Sequence, residues 1–183
     1  MQLTEHFTLD ELTASDTAVR LGIDNSPSDA VIENLKRTAQ MGETIREILG
    51  QTAGKEIIIN VSSGFRCEAL ERILCQSDYS AWCARRILNQ NTGSWNAYFS
   101  HKSHPKGCAI DFKAYRFGSP FQIVRELQKH ADLMAGIDQI ILEGVIDNKE
   151  GWVHASWSDH PRHQIMTAIF DNFGTPFYSD GLT

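Results

Sequence analysis

An apolar stripe near the start of the chain constrains its fold more than any other feature. Ile32, Leu35, Ala39, Gly42, Ile45 and Leu49 recur at spacings of three and four, the period of one helix face. A face of that width must be buried against something. The spacing predicts one long amphipathic helix with Ser26 as its N-cap, Pro27 in its first turn and Gly50 at its end. The β-branched run Ile57-Ile58-Ile59-Asn60-Val61 follows closely and reads as a buried strand for that helix to cover. With 183 residues, helix and strand belong to one domain able to bury a core without staples.

The rest of the chain supplies the other layers. Thr8-Leu9-Asp10-Glu11 reads as a capping box opening a short helix, and Gly22 with Asp24-Asn25-Ser26-Pro27 breaks the chain. Residues 67–99 read as helical with a break at Asn91-Thr92-Gly93-Ser94. Ser119-Pro120 opens a helix that presents Ile123, Val124 and Leu127 on one face. Gln139–Glu143 and Trp152–Ser156 read as two strands of a hairpin, and Gln164–Phe170 as an edge strand. The expected fold is α+β: a small, mostly antiparallel sheet with helices packed on one face. It forms a single domain over 1–183, with a helical insertion at about 71–99.

Composition narrows the function. A formal net charge of −6 disfavours nucleic acid or an anionic membrane as partner. No apolar run approaches the ~18 residues of a membrane span. Met1-Gln2-Leu3-Thr4-Glu5-His6 lacks the basic and apolar segments of a secretory signal, so synthesis in a cytoplasm is expected. None of Cys67, Cys75, Cys83 and Cys108 forms a C-x-x-C pair, which argues against a cysteine-rich zinc site. Free thiols are the default in such a product, with a Cys67–Cys108 or Cys75–Cys83 bridge left open.

The chemistry concentrates in two short stretches, His104-Pro105-Lys106-Gly107-Cys108-Ala109-Ile110-Asp111 and Trp152-Val153-His154. A lone histidine and aspartate seven residues apart are usually a surface or capping pair. Two imidazoles with one carboxylate, however, make a catalytic type of zinc set that leaves the fourth position for water. Strand alternation supports the grouping: Ile110, Phe112, Val153 and Ala155 would face a core, and Asp111, Trp152 and His154 the other side. Gly107 permits the tight turn that returns His104 toward Asp111. A metal-assisted hydrolase also needs a general base, for which Glu143, Asp147 and Glu150 are candidates. A hairpin loop at Asn148-Lys149 would set Glu143 directly opposite His154. His101 and His160 flank the motifs and read as surface or rim residues. Cys108 reads as a small buried residue, and Trp152 as groove wall or core.

The H-x-x-G-x-A-x-D pattern followed by W-x-H resembles the zinc D-Ala-D-Ala carboxypeptidases and the related phage L-alanyl-D-glutamate endopeptidases. The Hedgehog-type zinc fold is a more distant relative. Phe7-Thr8-Leu9-Asp10-Glu11-Leu12, Asp16 to Ile23, Ser63-Gly64-Phe65-Arg66 and Asp138-Gln139-Ile140-Ile141-Leu142-Glu143 are similar to further motifs of these families. The resemblance covers about residues 6–170. It implies one zinc ion per chain on His104, Asp111 and His154, in a monomeric metallopeptidase that hydrolyses peptidoglycan stem peptides. Such an enzyme would be of phage or prophage origin and would act on the wall after release, as an endolysin does, or as a virion component. It also implies that Arg66 contacts substrate or stabilises the oxyanion, with Ser63 as a second polar contact and Ser103 and Trp152 beside the substrate. Two departures stand out. Lys102-Ser103 precedes His104 where the family has Ser-Gln, and Gly151 occupies the place where many relatives carry an acid. The rival reading is a non-catalytic zinc-containing wall-binding module or a phage assembly protein.

Overall fold

The computed structural model describes residues 1–130, 132, 135–144 and 151–182. Seven α-helices lie among them: α1 (Leu9–Thr13), α2 (Asp16–Leu21), α3 (Asp29–Ala53), α4 (Glu68–Leu74), α5 (Gln76–Arg85), α6 (Thr92–Phe99) and α7 (Pro120–Leu127). The strands are β1 (Asn60–Ser63), β2 (Ala109–Lys113), β3 (Ile137–Glu143), β4 (Trp152–Trp157), β5 (Gln164–Phe170) and β6 (Pro176–Asp180).

Local chemistry explains most element ends and corrects several expected ones. The Thr8 hydroxyl accepts from the Glu11 amide and starts α1. Helix α3 is capped by Ser28, which accepts from Val31, and not by Ser26. Ser26 is held in a turn instead, its amide donating to Asp24. Gly50 does not end this helix. One interior glycine costs only about 1 kcal/mol, and α3 continues to Ala53, where Gly54 adopts a left-handed φ of 62°. The break expected at residues 91–94 falls just earlier, because Asn91 and Ser94 form the capping box that opens α6. The expected strand at residues 57–61 is shifted too. Ile57 and Ile59 are buried, but the ladder with β2 begins at Asn60.

The six strands form one sheet in the order β1-β2-β4-β3-β5-β6. The sheet is mixed, which corrects the expectation of a mostly antiparallel one. β3 and β5 run parallel, because β2 already occupies the outer edge of β4. The chain must therefore pass the end of β3 to pair on its far side. Gln164–Phe170 is likewise not an edge strand, since β6 pairs along it.

One face of the sheet carries the core. Ile110, Phe112, Ile140, Leu142, Val153 and Ala155 pack there with Leu35, Ala39, Ile45 and Leu49 of α3 and Ile123, Val124 and Leu127 of α7. A second cluster, Tyr79, Cys83, Trp95 and Tyr98, joins α5 to α6. Among the described residues no helix is long and apolar enough to cross a membrane, and all four cysteines are free thiols.

Candidate metal centre

The residues that alternate with the core side chains define the opposite face of the sheet. On β2 and β4, Asp111 and His154 are directly paired, and so their side chains share that face. His104 arrives from a 3₁₀ turn, His104–Lys106, closed by Gly107 at φ 70°. A Cβ there would meet Val31 at 2.9 Å, so both backbone and space call for glycine.

The three side chains converge. Asp111 Oδ1 lies 2.9 Å from His154 Nδ1 and 3.2 Å from His104 Nε2, and the three candidate ligand atoms all fall within 4.8 Å of one another. Each residue is buried. These three could hold a metal ion, and their surroundings fit one. His104 Nδ1 donates to the Gly64 carbonyl at 2.6 Å, which leaves Nε2 with its lone pair toward the cluster. Imidazole ligands are commonly oriented in this way. The second oxygen of Asp111 accepts from Arg66 Nη2 at 2.7 Å. Arg66 is held in turn by Ser63 Oγ, 2.8 Å from its Nε, and by the buried Glu71 of α4 at 3.5 Å.

The electrostatics follow from these contacts. Burial alone would raise the Asp111 carboxyl, yet His104, His154 and Arg66 hold it well below the usual carboxylate range. Burial lowers His104, with Arg66 adding to the effect. Burial would also lower His154, but the hydrogen bond and charge of Asp111 outweigh it and raise His154 above its ordinary value. A metal ion at His154 would therefore compete with a bound proton.

Glu143 does not oppose His154. Its partner on β4 is Trp152, and His154 faces Ile141. The observed register is shifted by two residues from the expected one. A two-residue shift preserves the face, so Glu143 still lies on the metal side, diagonal to His154. Trp152 Nε1 donates to Glu143 Oε2 at 2.9 Å. Burial, reinforced by the charge of Asp111, pushes the Glu143 carboxyl up to about 7. The Asn148-Lys149 turn and the alternative bases Asp147 and Glu150 lie outside the described residues.

Of the other residues named from sequence, Ser63, Arg66 and Trp152 are thus brought to this face. Ser103 lines a separate groove of about 450 Å³ with His101, Cys108, Trp157 and His160, and none of the three candidate ligands lines it. Burial pushes the Cys108 thiol up to about 11, which removes it as a thiolate ligand near neutral pH. One residue was missed. Glu71 sits in the segment read as an insertion with its own core, and an acid within an amphipathic helix carries no signal of what it will meet.

The path from Gly64 to His104 can be tested. A Cβ at Gly64 would lie 2.2 Å from the Leu12 carbonyl oxygen, and that oxygen is fixed by the Phe65 amide at 2.7 Å. Gly64→Ala should destabilise the protein by about 1–3 kcal/mol and weaken metal uptake by displacing the carbonyl that orients His104. Urea unfolding and metal titration read the two effects, and wild-type values in both would disprove the close approach.

Compared with protein-family models and with curated proteins, the chain gives no match.

Proposed function

We propose that the protein is a zinc-dependent peptidase acting on peptidoglycan stem peptides. The observation that carries this reading is the shared face of β2, β3 and β4. A buried His104–Asp111–His154 set lies there beside a carboxyl, Glu143, poised near neutrality. Two imidazoles and one carboxylate suit zinc and leave a position open for water. The bound ion supplies a Lewis acid and makes water acidic enough to attack near neutral pH.

The chain's own groups supply the rest. Glu143 takes the proton as the water oxygen bonds to the peptide carbonyl carbon, then delivers it to the amine as the C–N bond breaks. A base works best with a pKa near the working pH, and burial raises Glu143 in that direction. Trp152 steers the Glu143 carboxylate by its indole N–H. Arg66 acts as a positioning residue, keeping Asp111 ionised and oriented. The motif resemblance directs this chemistry to D-Ala-D-Ala or L-Ala-D-Glu bonds and to a phage or prophage wall-lytic role.

Digestion of purified peptidoglycan and defined stem peptides, with zinc and with chelator, tests the reading by mass spectrometry. Metal-dependent loss of one D-Ala identifies a carboxypeptidase, and a cut between L-Ala and D-Glu identifies an endopeptidase. A zinc-loaded protein that binds wall peptide but cleaves no wall type would favour the binding module instead.

A further inference from the structure

The strand register carries the site beyond the motifs. Trp152 pairs with Glu143, Glu143 with Ala168, and Ala168 with Tyr178. These four residues form one row across β4, β3, β5 and β6, on the face that holds Asp111 and His154. Two strand spacings of about 4.8 Å put the Tyr178 backbone roughly 10 Å from that of Glu143. Between them stands only Ala168, whose side chain is a single methyl. A tyrosine side chain can therefore lie back over Ala168 toward the metal face. Ala168 is fully covered, and Tyr178 is 47% exposed, so part of its ring meets solvent.

The surroundings of the hydroxyl agree. Burial raises the phenol's pKa, and so do Glu143 on β3, Asp78 on α5, Cys75 at the end of α4 and Asp111 on β2. The hydroxyl is thus protonated, a donor, near neutral pH. Among the described residues it has no hydrogen-bond partner of its own. Arg66, the donor the motifs offer, is by contrast engaged by Asp111, Ser63 and Glu71.

We infer that Tyr178 is a catalytic residue of this centre, its hydroxyl donating a hydrogen bond to the scissile carbonyl oxygen as negative charge develops there. The inference rests on the hydrolytic reading above and adds the oxyanion partner which that reading lacks. Such a contact strengthens in the transition state and so appears in kcat more than in KM.

Tyr178→Phe keeps the ring and removes only the donor. With zinc-loaded protein it should lower kcat by about 100-fold, with KM nearly unchanged and with zinc affinity and thermal midpoint as in the wild type. A second measurement does not need turnover. A phosphinate dipeptide, which presents a tetrahedral anionic oxygen, should bind the zinc-loaded wild type and bind Tyr178→Phe about 100-fold more weakly. If the wild type cleaves no peptide but the phosphinate still discriminates between the two proteins, the oxyanion contact stands and the hydrolytic reading falls. Equal kcat in the two proteins, equal phosphinate affinity, or no phosphinate binding by the wild type would each overturn the role of Tyr178.

Discussion

Asp111→Asn should reduce zinc affinity by at least about 100-fold and take metal-dependent hydrolysis to background. Its two oxygens have separate duties, one toward His104 and His154 and the other toward Arg66. Loss even of groups that merely orient ligands costs 10- to 100-fold in metal affinity, so loss of the ligand itself costs more. The amide also removes the negative charge that Arg66 and a protonated His154 face. Breaking a buried pair from one side costs about 3–5 kcal/mol, and Arg66 is only 16% exposed, so metal-free Asp111→Asn should melt well below metal-free wild type. Zinc should raise the melting temperature of the wild type, since it binds the folded state, and should leave that of the variant in place. Calorimetric titration and thermal melts read both effects. A variant that holds zinc at wild-type affinity would remove Asp111 from the ligand set.

Glu143→Gln should separate metal holding from chemistry. The carboxyl lies beside the cluster and is not among the three residues whose atoms converge, so zinc affinity should stay within a few-fold of wild type. Loss of a general base costs about 10²–10⁴ in rate, and kcat should fall by that factor. The sign of the pH dependence follows. The base acts when ionised, so wild-type kcat/KM should decline as pH falls and Glu143 takes up a proton. Burial and Asp111 hold that carboxyl up to about 7, and a bound cation nearby moves it down, so the acid limb should lie at or below pH 7. Residual activity of the variant should lack that limb. An unchanged limb would assign the base elsewhere.

The grouping of His104, Asp111 and His154 was legible because its signal is local. Asp111 and His154 each sit between apolar neighbours on a strand, and alternation alone sends them away from the core. Gly107 announced the turn that returns His104. The register of Glu143 was not legible, because strand alternation fixes a face and leaves the pairing partner open. Only its face was, since parity survives a two-residue shift. The parallel pairing of β3 with β5 escaped for a related reason. Nothing in Gln164–Phe170 records that β2 already covers the far edge of β4. Arg66 could be named from its motif, but its clasp on Asp111 comes from β1 pairing with β2, some forty-five residues further on. The Ser28 cap was missed because Ser26 and Ser28 offer the same chemistry, and the Asp24 turn decides between them.

The alternation of β2 and β4 has a consequence for how such a sequence can change. Ile110, Phe112, Val153 and Ala155 fill the core, while Asp111 and His154, the residues interleaved with them, face the opposite side of the sheet. Gaining or losing one codon inside either strand would exchange the two sets, driving Asp111 or His154 into the apolar layer and aromatic or branched side chains out of it. Folding and chemistry would fail together, with no intermediate that keeps one of them. Loops around the sheet can lengthen or shorten over generations, but these two strands can drift only by substitution, one position at a time.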